Sequence, residues 1–127
     1  PKYETPESYL IAKSLIFALK KLEKYEDALE WAKKLMKSSL DRHDSGDREF
    51  IAGTVLYHLG RKDDAWKYFD VANDKSEGRC FIGADKKEYL IFFKRKKSKA
   101  LKIISIFFLK FFILSILSFF FTIISLP

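Results

Sequence analysis

An all-α fold is the architecture the sequence predicts: stacked antiparallel helix pairs, a capping helix and a hydrophobic, transmembrane-length helix at the C-terminal side. Three observations predict it. Apolar residues recur at steps of three and four along most of residues 9–77, the signature of amphipathic helices. Two stretches, "YEDALEWAKKL" at 25–35 and "KDDAWKYFDVA" at 62–72, share an acidic pair, an early Ala, aromatic residues and a second small residue on the same helix face. From Ile103 to Leu126, 24 residues carry a single charge, Lys110.

The first helix starts in "TPESYLIAKSL". Thr5 is placed to cap it, Pro6 occupies the first helical position, where its missing N–H costs nothing, and Glu7 sits in the first turn. Leu15, Leu19 and Leu22 are its expected apolar stripe. A short turn leads into the second helix at 25–35. The polar linker "SSLDRHDSGD" follows, then a third helix with Phe50, Gly53, Leu56 and Tyr57 on one face, a turn at Gly60, and a fourth helix at 62–72. In "SEGRCFIGA", Gly78 and Gly83 allow turns. Asp85 is expected to cap a helix through "KKEYLIFFK", whose Tyr89, Leu90, Phe92 and Phe93 would cover the exposed face of the second pair. The domain organisation read from this is a helical body at 1–93, a basic segment at 94–102 and the apolar helix at 103–126.

Charge separates the same segments. Residues 1–93 hold seventeen Lys and Arg against seventeen Asp and Glu, so the formal charge of +7 sits on Lys94, Arg95, Lys96, Lys97, Lys99, Lys102 and Lys110. A nucleic-acid binder spreads its excess over a surface, whereas here it flanks an apolar run, which suits a membrane surface and disfavours a nucleic-acid partner. "KRKKSK" as a nuclear or nucleic-acid patch is the lesser reading. The chain begins at Pro1 without an initiator Met, and no charged and apolar leader precedes Tyr9. No signal peptide is expected, and some N-terminal sequence is expected to be missing.

Little in the sequence has catalytic spacing. His43 stands among Asp41, Asp44 and Asp47, but the run lacks the ligand pattern of a calcium loop or zinc site, so a solvated inter-helix loop is expected and no metal. The single cysteine, Cys80, cannot form an internal disulfide and has no local thiol or imidazole partner; a small buried group in a reducing compartment is expected. No glycine-rich phosphate loop occurs. The expectation is a protein without catalytic residues or cofactors.

"IAGTVLYHLGRKDDAWKYFDVA" resembles a tetratricopeptide repeat. Gly53 falls at the small position of the family's first helix, Gly60 at the interhelix turn, and Ala65, Phe69 and Ala72 at the small, large and small contact positions of the second helix. Close packing is the physical logic: small side chains let two helices approach while Phe69 fills the space between them. In the first unit Ala28 and Ala32 match, but Ile16 stands at the small position and Glu23 at the turn glycine. Ala28 and Ala65 are 37 residues apart where the family period is about 34, and the proline expected after each second helix is missing. The resemblance covers about residues 9–77 and is clearest at 46–79.

That family binds extended peptides or helices in a concave groove lined by the first helix of each pair. The resemblance thus implies a protein or peptide partner and a groove bearing Lys13, Phe17, Ile51, Thr54 and His58. Lys13 matches one position of the family's carboxylate clamp, but Phe17 and Ile51 stand where Asn is needed, so a clamp is not expected.

A helix of residues 103–126 is about 36 Å long against about 30 Å of hydrocarbon. Lys110 would cost about 2.5–3.5 kcal/mol at the bilayer centre, but a core at 107–126 leaves it one turn inside, where its stem can reach outward. Six basic residues precede the span and none follows in the chain, which keeps the body cytoplasmic and makes the helix a tail anchor. Composition offers an alternative: 29 of the 33 residues from Arg95 to Pro127 are Ile, Phe, Leu, Lys or Ser. AT-rich codons read out of frame have that bias, and the body would then be a soluble cytoplasmic binding protein.

Overall fold

The computed structural model describes residues 5–37 and 45–126. The described residues form five α-helices: α1 (Pro6–Lys21), α2 (Tyr25–Met36), α3 (Asp47–His58), α4 (Lys62–Ser76) and α5 (Lys87–Ile124). Single 3-10 turns at Arg79–Phe81 and Ala84–Lys86 lie between α4 and α5. The chain divides into two units, Pro1–Phe93 and Lys94–Pro127. The loop expected around His43, Asp41 and Asp44 lies outside the described residues.

Local chemistry sets the helix ends. Thr5 Oγ1 accepts the Ser8 amide at 3.2 Å, with Pro6 at the first helical position as its fixed φ dictates. α2 and α4 lack side-chain caps. Their first turns instead carry Glu26 and Asp27, and Asp63 and Asp64, with Lys33 and Lys34, and Lys75, in the last turns, the polarity that opposes the helix dipole. Asp85 is not an N-cap. It falls inside the 3-10 turn Ala84–Lys86, so the chain enters α5 through that turn.

Side-chain pairs fix the direction of each helix. Lys13 bonds Asp47 at 2.7 Å and Lys20 bonds Thr54 at 2.8 Å, so α1 runs parallel to α3. Tyr25 stacks on His58 at 5.0 Å and Arg48 reaches the Met36 carbonyl at 3.4 Å, so α2 runs antiparallel to α3. Glu49 pairs with Lys75 while Lys62 sits 3.0 Å over the Tyr57 ring, so α4 is antiparallel to α3 as well.

The two interhelix turns are the same object. In the first, the amides of Leu22, Glu23, Lys24 and Ala28 bond the carbonyls of Ala18, Lys20, Leu19 and Lys24. In the second, Leu59, Gly60, Arg61 and Ala65 bond Val55, Tyr57, Leu56 and Arg61, each partner 37 residues on. Glu23 accordingly takes the left-handed conformation of Gly60, with φ of 56° against 81°. A non-glycine residue held there loses about 1–2 kcal/mol that glycine does not.

The core follows from the small residues. Ala28, Ala32, Ala65 and Ala72 are buried, and Phe69 is fully enclosed. A Cβ on Gly53 would lie 2.7 Å from the Phe69 ring, so that ring occupies the space a side chain would need. Gly46 meets α4 just as closely: its φ is 64° and its Cβ would stand 2.6 Å from the Ala72 carbonyl oxygen. Around Phe69 gather Phe50 at 5.5 Å, Tyr89 at 5.7 Å and Phe81 at 5.8 Å. Tyr89 and Phe93 are buried and Leu90 and Phe92 half-buried, so the start of α5 covers the second helix pair as expected.

Two segments differ from expectation. On α1 the buried residues are Ala12 and Ile16, with Leu19 packed beside them, whereas Leu22 is 67% exposed because α1 ends before it. The segment expected as a glycine linker contributes to the core, since Phe81 is buried and stacks on Phe93 at 5.1 Å. Ser76 stitches this turn to α4, donating to the Ala72 carbonyl and accepting the Cys80 amide. Cys80 is buried, as its lack of partners implied.

Within the second unit, α5 is long and apolar enough to cross a membrane by length and composition. Its large apolar side chains from Ile103 to Ile124 are 40–79% exposed.

The two glycines separate crowding from backbone strain. Gly53→Val should lower unfolding free energy by about 1–3 kcal/mol through overpacking against Phe69. Gly60→Ala should lose about 1 kcal/mol, from φ alone, because nothing lies within 4 Å of its Cβ. Urea unfolding of both variants checks the order; equal losses would mean that Gly53 is not a close-approach position.

Candidate functional site

The first unit carries a groove of about 650 Å³, walled by α1, α3 and the start of α5. Lys13, Phe17, Ile51 and Thr54 all line it, so four of the five expected groove residues come together. The local reason is periodicity: Lys13, Phe17 and Lys20 fall at steps of four and three on α1, and Ile51 and Thr54 are one step of three apart on α3.

His58 stands apart from this lining. It lies at the end of α3, where its Nε2 is 2.8 Å from the Tyr89 hydroxyl and its ring stacks on Tyr25. Tyr89 itself lines the groove, so His58 touches the groove wall through that hydroxyl. Burial, the charge of Lys20 and then that of Lys62 push the His58 imidazole below its ordinary range, with Glu88 opposing. Burial first, then the nearby Glu88 carboxylate, pushes the Tyr89 phenol up to about 12. A neutral imidazole therefore faces a protonated phenol, which can donate to it.

Polar groups of the groove are already engaged with one another. Asp47 accepts from Lys13 at 2.7 Å and from the Tyr9 hydroxyl at 2.9 Å. Lys20 donates to Thr54 Oγ1, which in turn donates to the Ile51 carbonyl, and burial holds the Lys20 ammonium below its usual range despite Asp85. Lys86 and Asp85 complete the charged lining. The apolar lining is the more available part, for Leu10 and Phe17 are each 60% exposed.

Lys20, Leu10 and Tyr89 are groove residues that the sequence reading missed. Lys20 and Leu10 were accessible to it, as both continue the helix face of Lys13 and Phe17. Tyr89 was expected to cover the second helix pair, and its place in the groove wall depends in addition on where α1 lies beside α3.

A second ionic feature lies near the start of α3, two residues after Asp47. Burial pushes the Glu49 carboxyl up, but the hydrogen bond from Lys75 and the charges of Lys75 and Arg48 outweigh it, leaving the group below the usual range. Glu49 is thus a buried carboxylate that ties α3 to α4. Among the described residues, no group of three or more His, Cys, Asp and Glu side chains is placed to hold a metal. Burial pushes the Cys80 thiol up, which keeps its thiolate scarce at neutral pH. No protein family, curated protein or solved structure matches the chain.

His58 yields a pH prediction. Its folded pKa is depressed, so between that value and about 6.5 the unfolded chain binds more protons. The stabilisation is complete above about pH 6.5 and is lost as pH falls through the folded value. Urea unfolding at about pH 8 and pH 5 should show a smaller acid loss for His58→Gln than for the natural chain. Equal losses in both would remove His58 from the pH response.

Proposed function

We propose that this protein is a tetratricopeptide-like adaptor that binds a protein or peptide partner and is held at the cytoplasmic face of a membrane by its C-terminal helix. The observation that carries the binding half is the exposed apolar lining of the groove, Leu10 and Phe17, beside the Lys13–Asp47 pair. Apolar surface flanked by fixed ionic groups offers both contact area and orientation to a helix or extended peptide. The repeated turn geometry supports the family reading, because two helix pairs closed by the same bonds stack their first helices along one wall.

The membrane half rests on the apolar stretch of α5 and on the position of its charges. A helix apolar on every side has no polar face to give to water. Six basic residues at 94–102 support a cytoplasmic position for their side of the span. Recruitment of a partner to that surface, with no reaction of its own, is the function that follows.

Two experiments test the halves separately. The chain ending at Phe93 should capture a helical or extended peptide partner from a displayed peptide library, and Lys13→Glu with Phe17→Ala should weaken that capture tenfold or more, about 1.4 kcal/mol, with the helical circular dichroism unchanged. Capture unaffected by both substitutions would place binding elsewhere. For the anchor, the full chain should stay with membranes in alkaline carbonate. Leu114→Arg with Leu117→Arg should release it, since two central charges add about 5–7 kcal/mol to insertion. A natural chain that washes off in carbonate would leave the soluble reading.

A further inference from the structure

Residues 94–102 have an arrangement that net charge alone does not convey. Successive residues of a helix point about 100° apart, so Lys94, Arg95, Lys96 and Lys97 already face four directions around the α5 axis. Lys99 and Lys102 fall between them. The six cations therefore encircle the helix over about 12 Å of its length, and no acidic residue occurs after Glu88. Immediately beyond, the apolar side chains also encircle the axis.

We infer that residues 94–102 form a collar that binds anionic phospholipid headgroups, of the phosphatidylserine kind, in the leaflet facing the helical body. The inference rests on the membrane-anchored reading above and adds the lipid partner to it. A helix lying flat in the interface keeps its cations on one face and its apolar residues on the other. Here the two kinds of residue succeed one another along the axis, each on all sides, which is the order a steeply entering helix meets: headgroups first, then hydrocarbon. The collar length also suits a headgroup layer of about 5–8 Å per side, because Lys and Arg stems let cations above and below reach into it. Phosphate oxygens and carboxylates on every side of the helix then satisfy cations on every side. A nucleic acid, approached from one direction, would leave the far half of the collar unused, and it has no use for the adjoining apolar stretch. Clusters of this size next to a span draw anionic lipid through summed surface attraction.

The test lets the full chain choose. It is synthesised cell-free in the presence of two vesicle populations separable by density, one of phosphatidylcholine alone and one with about 30% phosphatidylserine, and the carbonate-resistant chain in each is measured. The expected result is about tenfold enrichment in the phosphatidylserine vesicles, fading at about 0.5 M salt and in a variant with all six collar cations changed to Gln. Equal partition of a carbonate-resistant chain would overturn the collar and leave the anchor standing. A chain resistant in neither population would overturn the anchor, and the collar with it. Wild-type preference in the six-Gln variant would overturn the assignment to these residues. Loss of the preference when RNA is added at equal phosphate would overturn it in favour of a nucleic-acid partner.

Discussion

The contact of Gly53 with the Phe69 ring is the constraint on which the helical body depends. Because no side chain separates them, α3 and α4 approach closely enough for one phenyl ring to be fully enclosed, and burial of that kind is worth about 1.5–3 kcal/mol. The enclosed ring then becomes the hub for Phe50, Phe81, Tyr89 and Phe92, which belong to α3, the 3-10 turn and α5. At the two ends of the same helix pair, Glu49 with Lys75 and Lys62 over Tyr57 hold the register. A groove wall formed by α5 exists only because this hub gives α5 something to rest on.

The first helix pair reaches the same turn by a harder route. Glu23 and Gly60 share a left-handed backbone and matching hydrogen bonds, although only one has the residue suited to it. The buried alanines behind the turn, Ala28 and Ala65, are the common element. Side-chain packing of the second helices thus selects the turn, and the local preference of Glu23 yields to it.

Much of the fold was legible because helices announce themselves locally. The apolar periods, the Thr5 cap and the Pro6 start depend on neighbours within one or two turns, and α1 to α4 lie where those signals put them. Failures came where position depended on distant residues. Leu22 continued the period of α1 but α1 stops before it, and Phe81, in a glycine-flanked linker, is drawn into the core by Phe50 and Phe93. In the groove, Lys13, Phe17, Ile51 and Thr54 followed from helix faces. The engagement of Lys13 by Asp47, and the Tyr89 wall with His58 bonded to it, required the helices to be brought together first.

Trp66 stacks on the Phe93 ring at 5.7 Å and its indole N–H donates to the Phe93 carbonyl, at the last residue of the first unit. Trp31 instead carries the Lys34 ammonium 4.1 Å over its ring, within α2 alone. The two indoles of this chain are therefore optical reporters of different events. Emission from Trp66 follows the docking of the start of α5, and emission from Trp31 follows the first helix pair, so fraying at one boundary can be watched in the protein's own fluorescence without any added label.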